Sequence, residues 1–143
     1  MKQGVQDTFK GIHYELYTYG CYFFDILRWA ELDSEKEFNG NDILNFFSAC
    51  KNAGLIGNEC FVNNAAGIYN MAAGVNKYKD VRKIFLTSSE VAEKKMPASY
   101  IICNKKPMYT HFTLCHKGIL WDSKFPDRLG ALEYKPDSYR ILI

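Results

Sequence analysis

Three residues of this chain have the types and the order of a thiol nucleophile, its base and the group that orients the base. Cys21 opens an apolar run that predicts a helix over residues 22–32. Far downstream, His111 lies on a predicted strand and Asp122 lies on the strand that follows it. In such a site the thiolate attacks a carbonyl carbon, the imidazole moves the proton, and the carboxylate orients the imidazole. The sequence therefore predicts a catalytic triad of Cys21, His111 and Asp122.

The start of a helix is a favourable place for the predicted nucleophile. Backbone N–H groups at a helix start stabilise a thiolate, and a nearby imidazolium stabilises it further. Gly20 permits a tight turn into the helix and the close approach of a substrate backbone. We expect the backbone N–H of Cys21 to contribute to an oxyanion hole.

The relation between His111 and Asp122 depends on a predicted hairpin. If Lys117-Gly118 is a two-residue turn, Thr113 pairs with Asp122, so His111 and Asp122 are diagonal neighbours on one face. Their backbones would be about 7–8 Å apart, which the side chains can span. A one-residue bulge near the turn would separate the two side chains. The opposite face is suited to a core and carries Phe112, Leu114, His116, Ile119 and Trp121.

Three helices are predicted in the first half of the chain. They cover residues 22–32, 42–53 and 65–73, where apolar residues recur at helical spacing. The first of them is apolar almost all round, so we expect it to be nearly enclosed by the rest of the protein. Asn41 is the predicted N-cap of the second helix, which ends before Gly54. The third is capped by Asn63 or Asn64 and stops at Gly74.

Strands are predicted in the second half. They cover residues 81–87, 99–103, 109–116, 119–123 and 139–143. Pro97, Pro107, Pro126 and Pro136 fall between them, where turns belong. The region 88–97 fits either a loop or a short helix. Helices followed by strands indicate an α+β fold, with helices packed on one side of an antiparallel sheet in a single domain, residues 1–143.

The composition argues against several classes of protein. The chain has 143 residues, of which 48% are hydrophobic, and this is enough for a substantial core. A net charge of +2 and the lack of a long basic run argue against a nucleic-acid partner. No apolar stretch approaches the length of a membrane span, so we expect no membrane partner.

The cysteines are typical of a reducing compartment. An odd count of five, with no Cys-x-x-Cys pair, does not predict a disulfide framework. The segment 1–10 is polar and has no apolar region of a signal peptide. We therefore expect a cytoplasmic protein, although a protein released by lysis or exported by a dedicated route would have the same composition.

Metal and phosphate sites are the competing interpretations. Four possible metal ligands lie close together in the sequence, namely Cys103, His111, Cys115 and His116. The hairpin pairing turns His116 to the opposite face from His111, and a structural zinc site usually has paired cysteines, so we expect no metal. No glycine-rich segment ends in Gly-Lys-Ser/Thr, and we expect no cofactor. Cys50 and Cys60 are typical of small core residues.

Short motifs around the triad resemble those of a known superfamily. Tyr19-Gly20-Cys21 before an apolar helix, the strand His111-Phe112-Thr113-Leu114 and the strand Leu120-Trp121-Asp122 resemble papain-like cysteine peptidases. The similarity is greatest to the compact bacterial and phage branch related to bacteriocin-processing peptidases, and it covers about residues 12–142. The resemblance implies a central helix with the nucleophile, a sheet with the base and a cleft between them. Members of the superfamily cleave peptide or isopeptide bonds, and some cut peptidoglycan stems.

One position departs from the pattern of that superfamily. Six residues before the nucleophile, the family usually has a Gln that donates to the oxyanion, and here the residue is Glu15. An ionised carboxylate only accepts hydrogen bonds and would repel the developing negative charge. Either Glu15 is protonated, or Tyr14, His13 or Tyr19 donates instead, or hydrolysis is weak or absent. The predicted oxyanion region is therefore Glu15, Tyr19 and Gly20.

Two main hypotheses follow for the function. The first is a cysteine hydrolase that acts on a peptide, isopeptide or peptidoglycan-stem amide. The second is a catalytically weak or inactive relative that binds a peptide, a cell-wall fragment or a protein in the same cleft. A structural subunit of a phage-like particle is a third interpretation, based on the resemblance alone. The sequence leaves the identity of the substrate and the oligomeric state open.

Overall fold

The described part of the chain contains helices in its first half and strands in its second. The computed structural model describes residues 1–85, 96–106, 109–124 and 135–143. The α-helices are α1 Tyr14–Tyr19, α2 Cys21–Ser34, α3 Gly40–Asn52 and α4 Ala65–Ala73, and the 3₁₀-helices are Val5–Phe9 and Asn58–Cys60. The strands are β1 Val81–Ile84, β2 Ser99–Lys106, β3 Tyr109–His116, β4 Ile119–Trp121 and β5 Lys135–Leu142. They form an antiparallel sheet in the order β1-β5-β2-β3-β4, so the α+β class is confirmed.

Helix α2 lies at the centre of the protein. Four of its apolar side chains, Phe23, Phe24, Ile26 and Leu27, are 0% exposed, as the all-round apolar sequence predicts. Helix α2 packs against α4 and against β3. A narrow polar stripe runs along α2, in which Asp25 and Glu31 are buried and Arg28 is partly exposed. In this stripe the carboxylate of Glu31 pairs with Arg28 and accepts a hydrogen bond from the backbone N–H of Phe38 at 2.7 Å.

The start of α3 differs from the prediction by two residues. The N-cap is Asn39 and not Asn41, because Asn39 and Asp42 form a capping box. The side chain of Asn39 accepts from the N–H of Asp42 at 2.9 Å, and the carboxylate of Asp42 accepts from the N–H of Asn39 at 2.9 Å. The predicted end is confirmed, since Gly54 has φ 73° and the chain then folds back.

Helix α1 is absent from the sequence-based prediction. It has only six residues, too few for an apolar period to be recognised. Its N-cap is His13, whose Nδ1 accepts from the backbone N–H of Leu16 at 3.2 Å. Cys21 therefore does not follow a simple turn. It begins α2 directly after α1, and Gly20 is the single residue between the two helices.

The predicted hairpin has the predicted register. In the structure Leu114 pairs with Trp121 and His116 pairs with Ile119 across the Lys117-Gly118 turn. Strand β4 ends at Trp121, earlier than predicted. The next two carbonyl groups bind the N-terminal segment instead: the N–H of Gly4 donates to Asp122 at 3.1 Å, and the N–H of Gln6 donates to Ser123 at 2.8 Å.

Strands β2 and β5 are longer than predicted. The prediction of Pro136 as a turn residue is wrong, because β5 begins at Lys135 and contains this proline. The pairing of β2 with β5 shifts register beside Pro136, where Asp137 is an extra residue on β5, and β1 pairs with β5 only from Tyr139 onwards. Strand β1 ends at Ile84, and the predicted continuation over 86–87 lies outside the described residues, as does most of the undecided region 88–97.

A polar cluster connects α2, α4 and β3. The carboxylate of Asp33 bonds Nε2 of His116 at 2.9 Å and accepts from the hydroxyl of Tyr69 at 2.6 Å. These bonds give His116 a structural partner on the core side of the sheet. Among the helices of the described segments, none has the length and apolar character needed to cross a membrane.

Candidate active site

The site begins at the junction of α1 and α2. The helical hydrogen bonds resume with the N–H of Phe24, which donates to the carbonyl of Gly20 at 2.8 Å. The amides of Cys21 and Tyr22 come before this first bond, and such first-turn amides have no partner within their own helix. They give the start of α2 a partial positive charge next to the thiol of Cys21.

Gly20 is needed for the packing of this junction. A Cβ atom at this position would lie 2.5 Å from the carbonyl oxygen of Leu16 and 3.0 Å from the ring of Phe24. The two helices can therefore meet at such a short distance only where no side chain is present. This steric reason agrees with the predicted tight entry into the helix, and the close approach of a substrate backbone stays a prediction.

The structure brings Cys21, His111 and Asp122 together. Nε2 of His111 lies 2.8 Å from Oδ1 of Asp122, and the thiol of Cys21 lies close enough to the same ring to affect its pKa. Asp122 therefore engages the Nε2 side of the ring. A backbone bond from Lys124 N–H to Asp122 Oδ1, at 2.9 Å, holds the carboxylate in place.

The charge of the ring depends on these two partners. Burial alone lowers the pKa of His111, but the hydrogen bonds and negative charges of Asp122 and Cys21 raise this pKa to about 10. An imidazolium is therefore favoured at neutral pH, and it places a positive charge beside the side chain of Cys21.

A cleft of about 870 Å³ gives access to the pair. Cys21 and His111 both line it, and the described residues of its walls include the aromatic side chains of Tyr19, Tyr22, Phe61 and Phe112. Cys21 is partly exposed, whereas the other four cysteines of the chain are buried, and all five are free. Burial also raises the pKa of Cys50 to about 11 and that of Cys60 to about 12.

Asp25 lies one turn after Cys21 on α2 and is the residue that the sequence reasoning missed. It is 0% exposed, and neither carboxyl oxygen has a hydrogen-bond partner among the described residues. Burial raises its pKa well above the ordinary value; the negative charges of Cys21 and Asp122 add to this, and His111 opposes it. The group is therefore a neutral carboxylic acid beside the triad. An acid at position i+4 from the cysteine, in an otherwise apolar helix, was its signal in the sequence.

Glu15 does not face the nucleophile. Its carboxylate accepts two hydrogen bonds from Nζ of Lys51, at 2.9 and 2.8 Å. The hydrogen bond from Lys51 lowers the pKa of Glu15, so the alternative of a protonated Glu15 is wrong. His13 caps α1 through its ring, and Tyr14 is largely exposed. Of the proposed donors, Tyr19 lines the cleft beside the first amides of α2.

The candidate metal ligands are used in other ways. His116 is bonded to Asp33 and His111 to Asp122, while Cys103 and Cys115 are buried. Within the part of the chain that the structure describes, no group of three or more His, Cys, Asp and Glu side chains is arranged to hold a metal ion.

Comparison with known proteins places the chain in a family. No curated protein and no solved structure matches it. A family model described as "Protein of unknown function, DUF261" matches residues 2–142. Because this match spans nearly the whole length of the chain, the chain belongs to the DUF261 family.

Proposed function

We propose that this protein is a papain-like cysteine hydrolase that cleaves a peptide, isopeptide or peptidoglycan-stem amide through Cys21, His111 and Asp122. The main support is the His111 ring, which is bonded to a carboxylate at 2.8 Å and lines an open cleft together with the thiol of Cys21. The position of the thiol at the start of a central helix that packs on an antiparallel sheet agrees with the papain-like interpretation.

The acylation step uses the charge pair. The thiolate of Cys21 attacks the carbonyl carbon of the amide, and the carbonyl electrons move onto oxygen as a tetrahedral intermediate forms. The backbone N–H of Cys21 and the hydroxyl of Tyr19 are the groups that would donate to this oxyanion. The imidazolium of His111 then gives its proton to the leaving nitrogen, the C–N bond breaks, and a thioester and a free amine result.

The deacylation step reverses the role of the ring. Neutral His111 takes a proton from water, and the hydroxide equivalent attacks the thioester carbon. The C–S bond breaks, so that a carboxylic acid leaves and the thiolate of Cys21 faces an imidazolium again. Asp122 stabilises the charged ring at both stages and fixes its orientation.

The first test is the reactivity of the thiol. Faster alkylation of Cys21 than of the buried cysteines would follow from exposure alone, so the informative comparison is between wild type and His111→Ala. At about pH 6, where an ordinary thiol is protonated, loss of the imidazolium should slow alkylation of Cys21 by iodoacetamide on the order of 100-fold. Mass spectrometry after timed labelling gives the rate at each cysteine. Equal rates in wild type and His111→Ala would contradict the proposal.

The second test is turnover. The protein is incubated with a defined peptide mixture and with purified muropeptides, and new amine and carboxyl termini are detected by mass spectrometry. Products should form with wild type and be absent with Cys21→Ala. A normal melting temperature of Cys21→Ala would show that the variant keeps its fold, and Cys115→Ala serves as a control that leaves the thiol of the triad in place.

The binding-module hypothesis is supported by Glu15. Its carboxylate is held by Lys51, so the side-chain amide that papain-like enzymes use for the oxyanion has no equivalent at this position. In that case a ligand would bind Cys21→Ala as well as wild type, and alkylation of Cys21 would not depend on His111. The cytoplasmic location stays a prediction under either hypothesis.

A further inference from the structure

The wall of the cleft contains two cations that face each other across paired strands. Lys83 on β1 is in register with Arg140 on β5, and both side chains line the cleft with Cys21. Side chains at directly opposite positions of an antiparallel pair lie about 4.5–5.5 Å apart at Cβ, and like charges there are destabilising. A pair of this kind on a cleft wall is explained if an anion binds between them.

No described carboxylate neutralises either cation. None of the ion pairs within the described residues includes Lys83 or Arg140. Nζ of Lys83 lies 4.7 Å from the ring centre of Phe85, and Nη1 of Arg140 donates to the hydroxyl of Ser138 at 2.8 Å. These contacts orient the two side chains and leave several of their N–H donors available.

One of the two cations, Arg140, is connected to the nucleophile by stacked side chains. The guanidinium of Arg140 lies 5.6 Å from the ring centre of Phe112, and Phe112 stacks on Tyr22 with ring centres 4.4 Å apart. Tyr22 follows Cys21 in the chain, and Phe112 follows His111. Arg140 is therefore packed against the neighbours of the reacting groups, and Lys83 faces Arg140 across the paired strands.

The overall charge of the cleft is positive, as is that of Lys83 and Arg140. Apart from His111 and Cys21 themselves, its described walls carry three cations, Lys83, Lys124 and Arg140, against one carboxylate, Glu59. The whole chain has a net charge of only +2, so positive charge is concentrated at this cleft. A cleft with one sign of charge attracts ligands of the opposite sign.

We propose that Lys83 and Arg140 form a carboxylate-binding subsite, and that the protein acts on an acidic peptide with a carboxylate close to the amide that Cys21 attacks. This inference depends on the proposed hydrolase function, because it assigns a substrate class to the same cleft. The carboxylate can come from an acidic side chain or from a free C-terminus, which present the same chemistry. Arg140 can bind it with two parallel N–H donors, and Lys83 adds a point charge.

The test compares two alkylating reagents that differ in charge. Iodoacetate is an anion and iodoacetamide is neutral, so the ratio of their rates at Cys21 measures how strongly the cleft attracts a carboxylate. Lys83→Gln should lower this ratio about three-fold to ten-fold at low salt, the size expected for losing one charge roughly 10 Å away in a partly aqueous site. The wild-type ratio should also fall as salt is raised to about 0.5 M, because salt screens exposed charges.

Arg82→Gln is the matched control. Arg82 precedes Lys83 on β1, is exposed, and by strand alternation points to the other face of the sheet. The two variants have the same net charge, so a general effect of charge would lower both ratios equally. We expect the ratio in Arg82→Gln to stay within about two-fold of wild type, since screening by solvent weakens distant charges.

Protection experiments identify the source of the carboxylate. N-acetylglutamic acid α-amide carries only a side-chain carboxylate, N-acetylglutamine carries only a terminal one, and N-acetylglutamine amide carries neither. One of the charged compounds should slow alkylation of Cys21 by iodoacetamide at about 10–50 mM, as expected for millimolar binding, and Lys83→Gln should abolish the protection. The neutral compound should not protect.

The two proposals fail in different ways. If alkylation of Cys21 by iodoacetamide does not depend on His111, the hydrolase function is refuted. The carboxylate subsite is refuted if Lys83→Gln and Arg82→Gln give the same ratio of iodoacetate to iodoacetamide rates at Cys21 and no charged compound protects. The hydrolase proposal then stands, provided that alkylation of Cys21 depends on His111.

Discussion

Replacing Asp25 with Asn should stabilise the protein increasingly as the pH rises. Asp25 is fully buried with no hydrogen-bond partner among the described residues, and burial raises its pKa well above the ordinary value. Folding therefore requires this carboxyl group to take up a proton that it has lost in the unfolded chain. Asn has almost the same shape and no proton to take up, so the substitution removes this requirement.

The size of the effect follows from the unfolded state. An unfolded Asp ionises at a pKa of about 3.9, and each pH unit above it adds about 1.4 kcal/mol to the cost of protonation. Because the folded pKa of Asp25 is raised, the contribution of this group to the stability of the fold is fully present below about pH 4 and is lost as the pH rises towards the folded pKa. Each pH unit of this window removes about 1.4 kcal/mol, a sizeable part of the roughly 5–15 kcal/mol that stabilises a typical domain.

The buried amide that Asp25→Asn introduces brings a cost of its own. Burying its polar atoms without hydrogen bonds costs about 1–3 kcal/mol. The neutral carboxylic acid that it replaces has a similar cost, and neither cost depends on pH. The diagnostic quantity is therefore the slope with pH of the difference in unfolding free energy between Asp25→Asn and wild type. We expect about 1.4 kcal/mol per pH unit between pH 4 and pH 6.

Urea denaturation at several pH values measures this slope. Glu37→Gln removes an exposed carboxylate and is the matched control, since its difference from wild type should change little over the same range. If the difference in unfolding free energy between Asp25→Asn and wild type stays constant from pH 4 to pH 6, Asp25 is ionised in the folded protein. That result would refute the reasoning.

Three further substitutions test the packing around the site. Gly20→Ala should lower the unfolding free energy by about 1–3 kcal/mol, because the added Cβ meets a backbone oxygen. Gly40→Ala is the control and should not destabilise the protein, because a Cβ there has no atom within 4 Å. Thermal melts compare the two variants. Tyr69→Phe removes the 2.6 Å hydrogen bond to the carboxylate of Asp33 and should lower the unfolding free energy, measured by urea denaturation, by about 1–2 kcal/mol. Glu15→Gln breaks a partly exposed ion pair and should cost less than about 1 kcal/mol, and any rise in turnover would indicate that the amide can reach the oxyanion.

Much of the fold could be predicted because its signals are local. Gly54, Asn64 and Gly74 act at helix ends as their types predict, since caps depend on side chains a few residues away. The register of the β3–β4 hairpin followed from a two-residue turn, and that register placed His111 and Asp122 on one face. The position of the N-cap of α3 could not be settled locally, because Asn39 and Asn41 are both suitable residues and the capping box with Asp42 decided between them.

Other features depend on segments that are distant in the sequence. Strand β4 is short because the N-terminal segment bonds the carbonyls of Asp122 and Ser123. Pro136 lies inside β5 beside an extra residue, Asp137, where the pairing with β2 shifts register. The pKa of Glu15 is lowered because Lys51 on α3 donates to its carboxylate. None of these contacts has a periodic or turn signal, because a sequence pattern reports on neighbouring residues only.

The sequence by itself determined the order of helices and strands, the hairpin that brings His111 and Asp122 to one face, and the identity of the nucleophile candidate. The tertiary structure alone decided that the thiol of Cys21 contacts His111, that Asp25 is sealed beside them, and that Lys83 faces Arg140. The physical reason is that these neighbours are joined by the packing of α2 on β3 and by the pairing of β1 with β5. Contacts of that kind form between segments far apart in the chain, and their free energy comes from burial and strand pairing that no local pattern encodes.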